Sequence, residues 1–160
     1  MPESGWRLEQ VYSHDGDGNE RLPIEEAFAA NRAEAQSGLS KLGILRLLGW
    51  PEARVSMRDS RGRPRIEKVD DDPPPIYVLK CKPSCWRIYF HVAEETQEKG
   101  EHSVTKTTPQ ARRSGAFLLL YVVCKKQSKR DSEDIAHARR PLQLWQRGHV
   151  RSKAFLLPTR

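Results

Sequence analysis

The sequence predicts an α+β fold: a small antiparallel sheet with an N-terminal helical hairpin packed on one face, followed by a C-terminal helix. Three observations support this. Residues 85 to 92 alternate between apolar and polar side chains, as a half-buried strand does. Residues 117 to 124 are apolar at every position, which is typical of a central strand covered on both sides. Leu42, Leu45 and Leu48 recur at helical spacing.

The N-terminal half predicts one strand and two helices. Residues 5 to 12 alternate and form the candidate first strand. Pro23 is expected to begin a helix, because its ring presets a helical φ, and Ser37-Gly38 is expected to end it. A second helix runs from about residue 39 to residue 48 and stops at Gly49-Trp50-Pro51. The two helices would form the hairpin.

Residues 51 to 75 form a long connection with two blocks of charge. The basic block consists of Arg54, Arg58, Arg61, Arg63 and Arg65. Three aspartates at 70 to 72 and three prolines follow it. The arginines either contact phosphate or belong to a solvated loop that the aspartates neutralise, and both interpretations stay open.

The C-terminal half predicts a hairpin and a helix. A tight turn at Pro83-Ser84 pairs a strand over residues 76 to 82 with the alternating strand. The last helix is expected to begin near Asp131 or Ser132 as its cap. Pro141 is expected to kink or restart that helix, because proline lacks the amide hydrogen that a helix interior uses.

Length and charge limit the classes of function. The 160 residues fit a single domain, and 28 Lys and Arg against 21 Asp and Glu give a net charge of +7, which favours a polyanionic partner. The longest apolar run, residues 116 to 124, is shorter than the roughly 20 residues of a membrane-spanning helix. The first residues lack a signal pattern, so we expect a cytoplasmic protein without membrane contact.

The polar face of the alternating strand carries Arg87, Tyr89 and His91, and the preceding strand adds Lys80 and Lys82. We expect this face to lie open to solvent. Cations neutralise phosphates and aromatic rings stack on bases, so such a face suits single-stranded nucleic acid.

The cysteines Cys81, Cys85 and Cys124 are odd in number and predict no disulfide framework. A metal site completed by His91 or His102 is one interpretation. Buried apolar filler is the favoured one, because no Cys-x-x-Cys pair is present. We therefore expect no metal.

The order of these elements carries a resemblance. Its motifs are Val78-Leu79-Lys80, Trp86-Arg87-Ile88-Tyr89-Phe90, Lys125-Lys126 after the apolar strand, and Ile135-x-x-Ala138-Arg139-Arg140. The chain resembles the RelE/ParE toxin superfamily, most closely its HigB-like, phage-related branch. The resemblance implies one RelE-like domain with three additions: an N-terminal extension over residues 1 to 20, an insertion over 94 to 114, and a tail over 148 to 160. It also implies the toxin of a type II toxin-antitoxin system, which cleaves messenger RNA on the ribosome without metal or cofactor and is inhibited by an antitoxin protein.

Metal-free RNA cleavage proceeds by attack of the 2′-hydroxyl on the adjacent phosphate, which needs charge stabilisation and proton transfer. By resemblance, Arg87 would stabilise the phosphate with Lys80 and Lys82. His91 is the candidate acid or base because its ordinary pKa is near neutral, and His149 is a second candidate. The remaining candidates would bind RNA: Tyr89, Lys125, Lys126 and Arg139.

One departure from the family pattern leaves an alternative open. The usual Glu-Leu-Arg of the first hairpin strand is here Val78-Leu79-Lys80, and lysine lacks the bidentate grip of arginine on phosphate. The alternative is a catalytically silent module that binds nucleic acid or protein, including a ParE-like topoisomerase inhibitor. What separates the two is whether His91 and Arg87 face one pocket together with Lys80 and Lys82.

Overall fold

The computed structural model describes residues 5–95, 114–125 and 132–158. Over these residues the chain forms one mixed sheet of seven strands with helices on both faces. In chain order the elements are β1 Trp6–His14, β2 Glu20–Arg21, α1 Pro23–Ala30, α2 Arg32–Leu48, α3 Glu52–Ser56, β3 Ile66–Asp70, β4 Ile76–Lys80, β5 Trp86–Glu95, β6 Ser114–Cys124, α4 Ser132–Gln146 and β7 Arg151–Ala154. None of the described helices is both long and apolar enough to span a membrane.

The strands lie in the order β2-β1-β6-β5-β4-β3, and β7 pairs with β1. The strands β4, β5 and β6 are antiparallel neighbours, as the sequence predicts. The expectation of a purely antiparallel sheet is wrong, because β1 runs parallel to β6. Parallel neighbours require a long connection, and alternation within a strand does not reveal its partner.

Helices α1 and α2 contribute apolar side chains to the larger core cluster on one face of the sheet. These include Ile24, Phe28, Leu42 and Leu45, packed with Trp86, Ile88 and Phe90. The predicted helix end at Ser37-Gly38 is wrong, since α2 continues through it. A Cβ atom on Gly38 would lie 2.9 Å from Phe28 Cε1 and 3.0 Å from Trp86 Cδ1. Glycine therefore serves close helix packing here, whereas Gly49, with φ of 73°, ends α2 as predicted.

Helix α4 covers the opposite face. Its Ala138 and Leu142 pack in a second cluster with Val78, Tyr89 and Leu118. This corrects the expectation of a solvent-exposed polar face: Tyr89 is only 3% exposed. Pro141 lies inside the continuous α4 and does not restart it.

The described segments before α1 and after α4 each contribute a strand to the sheet. The predicted first strand is confirmed as β1, with Trp6 and Leu8 buried. Beyond α4, β7 pairs with β1 and Phe155 is buried in the larger cluster. The two segments that the resemblance treats as additions thus contribute the strands β1 and β7 to the sheet.

Candidate nucleic-acid interface

An open cleft of about 680 Å³ lies where β4 and β5 meet their connecting turn. Seven cationic side chains line it, and we call it the basic cleft: Arg61, Arg63, Arg65, Lys80, Lys82, Arg87 and Lys125. Two acidic residues, Glu34 and Asp59, also line it. Two further carboxylates pair with cleft cations, Glu67 with Lys80 and Asp134 with Lys125. The cations still outnumber the acids, and such an excess of positive charge favours binding of an anion.

The β4–β5 hairpin positions three of these cations. The strand register places Lys80 directly opposite Arg87, so the two side chains project from the same face. The turn closes with a 2.9 Å hydrogen bond from the Ser84 amide to the Cys81 carbonyl, and Lys82 lies in that turn. The turn predicted at Pro83-Ser84 is confirmed, and it brings Lys80, Lys82 and Arg87 to one rim.

The arginine-rich loop forms the other rim. The Asp59 carboxylate accepts hydrogen bonds from the amides of Arg61 and Arg63, both 2.9 Å long, and these bonds hold the pKa of Asp59 below its usual range. The Arg65 guanidinium donates to the Lys82 carbonyl over 2.6 Å. The loop is thereby fixed against the hairpin turn, with Arg61 and Arg63 facing the cleft.

Asp134, in the first turn of α4, was not anticipated. It is 4% exposed, and its Oδ2 lies 2.7 Å from Lys125 Nζ. Among the described residues that oxygen has no hydrogen-bond partner, and its contact with Lys125 is an ion pair. In the sequence an acidic residue at a helix start suggests only a favourable helix dipole. Its partnership with Lys125 depends on how α4 docks.

Tyr89 is buried and close enough to Asp134 and Lys125 to be influenced by both charges. Burial, and secondarily the negative charge of Asp134, raise the pKa of its hydroxyl. The hydroxyl therefore stays protonated near neutral pH. Because Tyr89 is buried under α4, its ring is not available to stack on a base.

His91 is not brought into the cleft. It lies four residues along β5 from Arg87, a separation of roughly 13 Å in an extended strand. Its Nδ1 lies 3.2 Å from the Pro75 carbonyl oxygen, and its ring is 6.2 Å from that of Trp145. Burial lowers its pKa, so the neutral imidazole is favoured. The second histidine candidate, His149, is exposed beyond α4 and also does not line the cleft.

Arg139 and Lys126 complete the candidate set. Arg139 pairs with Asp70 at 2.8 Å and donates to the carbonyls of Pro74 and Asp72 over 2.8 and 3.0 Å. It therefore holds the acidic loop onto α4 and does not reach the cleft. Asp70 thus pairs with Arg139, which removes it from the role of neutralising the arginine-rich loop. Lys126 lies outside the described residues.

Two of the three cysteines depart from the sequence expectation, whereas Cys81 is buried and free as expected. Cys85 and Cys124 form a disulfide with a Cα–Cα distance of 4.6 Å, across 39 residues of sequence. Only the β5–β6 pairing brings them together, so spacing along the chain gave no signal. Cys81 is free and buried, and burial raises the pKa of its thiol to about 12. Two histidines could have completed a metal site with the cysteines. His91 lies further along β5, next to the Pro75 carbonyl, and His102 falls outside the described residues.

Comparisons with protein-family models, curated proteins and solved structures found no match. The resemblance to RelE/ParE toxins remains a hypothesis.

Proposed function

We propose that the protein binds single-stranded RNA through the basic cleft. The observation that carries this proposal is the convergence of seven cations and two acids on one open cleft. A flexible phosphodiester chain can follow such a cleft and exchange its counterions for protein cations, a gain that is largest at low salt. The resemblance to RelE/ParE toxins favours RNA over DNA.

The lining also predicts how selective binding will be. Trp86 is the aromatic residue among the described cleft residues, but it is 1% exposed and its indole donates to the Glu34 carbonyl over 2.7 Å. The cleft thus offers phosphate contacts without an available stacking surface. Contacts to phosphate position a nucleic acid without reading its bases. Binding should therefore depend little on RNA sequence.

Fluorescence anisotropy with a labelled single-stranded RNA tests this proposal. The double variant Arg61→Ala/Lys82→Ala removes two exposed cleft cations and should weaken binding at least tenfold, with a shallower salt dependence. The control, Arg140→Ala/Arg147→Ala, removes two exposed cations outside the cleft lining and should bind nearly as wild type. Equal losses in both variants, or binding that does not respond to salt, would contradict a role for the cleft.

A second candidate function is messenger RNA cleavage on the ribosome, as a toxin restrained by an antitoxin protein. The cross-strand pair of Lys80 and Arg87 favours it, because two cations on one phosphate would stabilise the charge that develops during 2′-hydroxyl attack. Lys80 pairs with Glu67 over 2.9 Å, so a bound phosphate would replace that carboxylate as its partner. Because His91 lies outside the cleft, a carboxylate of the cleft would have to accept the proton of the 2′-hydroxyl. Asp59 is tied to its own loop, which leaves Glu34.

Expression in cells followed by mapping of messenger RNA ends tests cleavage separately from binding. Wild type should slow growth and cut messages, and Arg87→Ala should reduce cleavage by about a hundredfold or more, as loss of a preorganised donor does elsewhere. His91→Ala should keep cleavage. If wild type binds RNA but leaves messages intact, the protein is a silent binding module and the catalytic candidate fails.

A further inference from the structure

We propose that, once the Cys85–Cys124 bond is reduced, Cys85, Cys124 and Glu34 bind a Zn²⁺ ion at the edge of the basic cleft. One ligand atom from each of these residues lies within 4.8 Å of the other two. Two thiolates and a carboxylate are zinc ligands, and the thiolates select zinc over magnesium or calcium.

The spacing suits a tetrahedral ion. Zinc–sulfur bonds of about 2.3 Å at tetrahedral angles place neighbouring sulfurs about 3.8 Å apart, and sulfur and oxygen about 3.6 Å apart. Cys85 Sγ already lies 3.3 Å from Glu34 Oε1. This contact is a hydrogen bond only when Cys85 is a thiol, since a disulfide sulfur carries no proton. To bind the ion, the two sulfurs must separate to about 3.8 Å, and the Glu34 oxygen, which lies within 4.8 Å of both, must adjust its position.

The backbone around the ligands is fixed independently of the disulfide. The Trp86 indole donates to the Glu34 carbonyl over 2.7 Å, which holds the start of α2 against β5. The Lys125 amide donates to the Cys85 carbonyl over 2.8 Å, which holds β6 beside β5. Reduction should therefore leave the three ligands close together.

The charges around the site also favour binding. Lys125 follows Cys124 directly, and both Lys125 and Arg87 line the cleft that Cys85 also lines. Nearby cations stabilise thiolate over thiol. Two thiolates, one carboxylate and Zn²⁺ sum to a charge of −1, in a cleft whose lining carries more cations than acids. Glu34 is exposed, so water can supply the fourth ligand.

Cobalt absorption and a zinc competition assay test the proposal on the full chain. A phosphine reduces the disulfide: the two sulfurs gain two electrons and two protons to become thiols, and the phosphine takes oxygen from water to become its oxide. After reduction, Co²⁺ should give thiolate charge-transfer bands and the d–d bands of a tetrahedral site, which Zn²⁺ should abolish. The oxidised protein should show neither.

Variants identify the ligands. Loss of an outer-shell partner of a metal site costs about 10–100-fold in affinity, so loss of a ligand should cost about a hundredfold or more. Cys85→Ser, Cys124→Ser and Glu34→Gln should each weaken zinc binding by that factor. Cys81→Ser and Glu52→Gln are the controls and should bind as wild type.

Three results would overturn the proposal: no cobalt bands after complete reduction, bands that survive in Cys124→Ser, or zinc affinity unchanged in Glu34→Gln. Amide exchange of the reduced, metal-free protein shows that it remains folded, so an unfolded chain cannot be mistaken for a failed site. The test does not depend on RNA binding, and so its failure leaves the proposed function intact.

Discussion

The two ends of β5 each place a basic side chain on the same face of the sheet, but one end is open to solvent and the other is covered. We call the end at Arg87 the open end and the end at His91 the closed end. At one end, Arg87 faces Lys80 across the strand pair and opens into the basic cleft. At the other, His91 contacts the Pro75 carbonyl and lies beside Trp145 of α4. Alternation identifies which face a residue occupies. Whether that face is covered depends on segments far away in the sequence, such as α4 at the His91 end.

At the closed end, Arg139 holds the loop over residues 70–74 against α4. Of the variants considered, removal of its contacts should lower the free energy of unfolding the most. Arg139→Ala removes the ion pair with Asp70 and two hydrogen bonds to loop carbonyls. We expect the free energy of unfolding to fall by about 2–3 kcal/mol, measured by urea denaturation. The neighbouring exposed Arg140→Ala should change it by less than about 0.5 kcal/mol. Equal effects would mean that the closed end is not held in this way.

At the open end, α2 packs closely against Trp86 at the start of β5. Replacing Gly38 by alanine adds one methyl group at this contact and tests how close the packing is. Gly38→Ala forces a Cβ atom against Phe28 and Trp86, and should lower the free energy of unfolding by about 1–2 kcal/mol. Gly43→Ala is the matched control. Its Cβ atom would make only an ordinary 3.7 Å contact with Leu157, so it should stabilise the helix by up to about 1 kcal/mol. Thermal denaturation of both variants should show shifts of opposite sign.

RNA binding should distinguish the two ends of β5 directly. Arg87→Ala should lower RNA affinity about tenfold. A hydrogen bond to a charged group contributes about 1.5–3 kcal/mol, and the lower end applies because Arg87 is partly exposed in an open cleft. The slope of log affinity against log salt should become shallower by about 0.7 for each phosphate that the variant no longer neutralises. His91→Ala should leave both quantities unchanged. A comparable loss of affinity from His91→Ala would show that RNA extends to the end that we describe as closed.

The smallest expected effect is the pH dependence that His91 contributes. Burial lowers its folded pKa, so below an ordinary pKa of about 6.5 the unfolded chain binds more protons than the folded one. Stability should therefore fall as pH drops from about 6.5 toward the folded pKa, with a slope of at most about 1.4 kcal/mol per pH unit. His91→Asn keeps a donor for the Pro75 carbonyl but does not titrate, and should flatten this part of the curve. His149→Asn, at an exposed position, should not.

Much of the local structure could be predicted from sequence. The strand β1, the stop at Gly49 and the turn at Pro83-Ser84 are confirmed. The helix α4 is present from Ser132, and the candidate cap Asp131 lies outside the described residues. Each confirmed feature depends on neighbouring residues: an alternation, a glycine that accepts positive φ, or a proline-containing turn. The helix end predicted at Gly38 is wrong, because this glycine allows α2 to pack closely against Trp86. That contact joins residues far apart in the sequence, so neighbouring residues do not reveal it.

The sequence by itself determined the α+β class, the positive charge, and the hairpin that aligns Lys80 with Arg87. Only the tertiary structure decided that β1 runs parallel to β6, that Arg61 and Arg63 join the same cleft, and that Cys85 bonds to Cys124. It also decided that His91 is enclosed and that Asp134 faces Lys125. The physical reason is the sequence range of the interactions. Alternation, caps and turns depend on a few neighbouring residues. Strand partners, helix docking and burial join segments far apart in the chain.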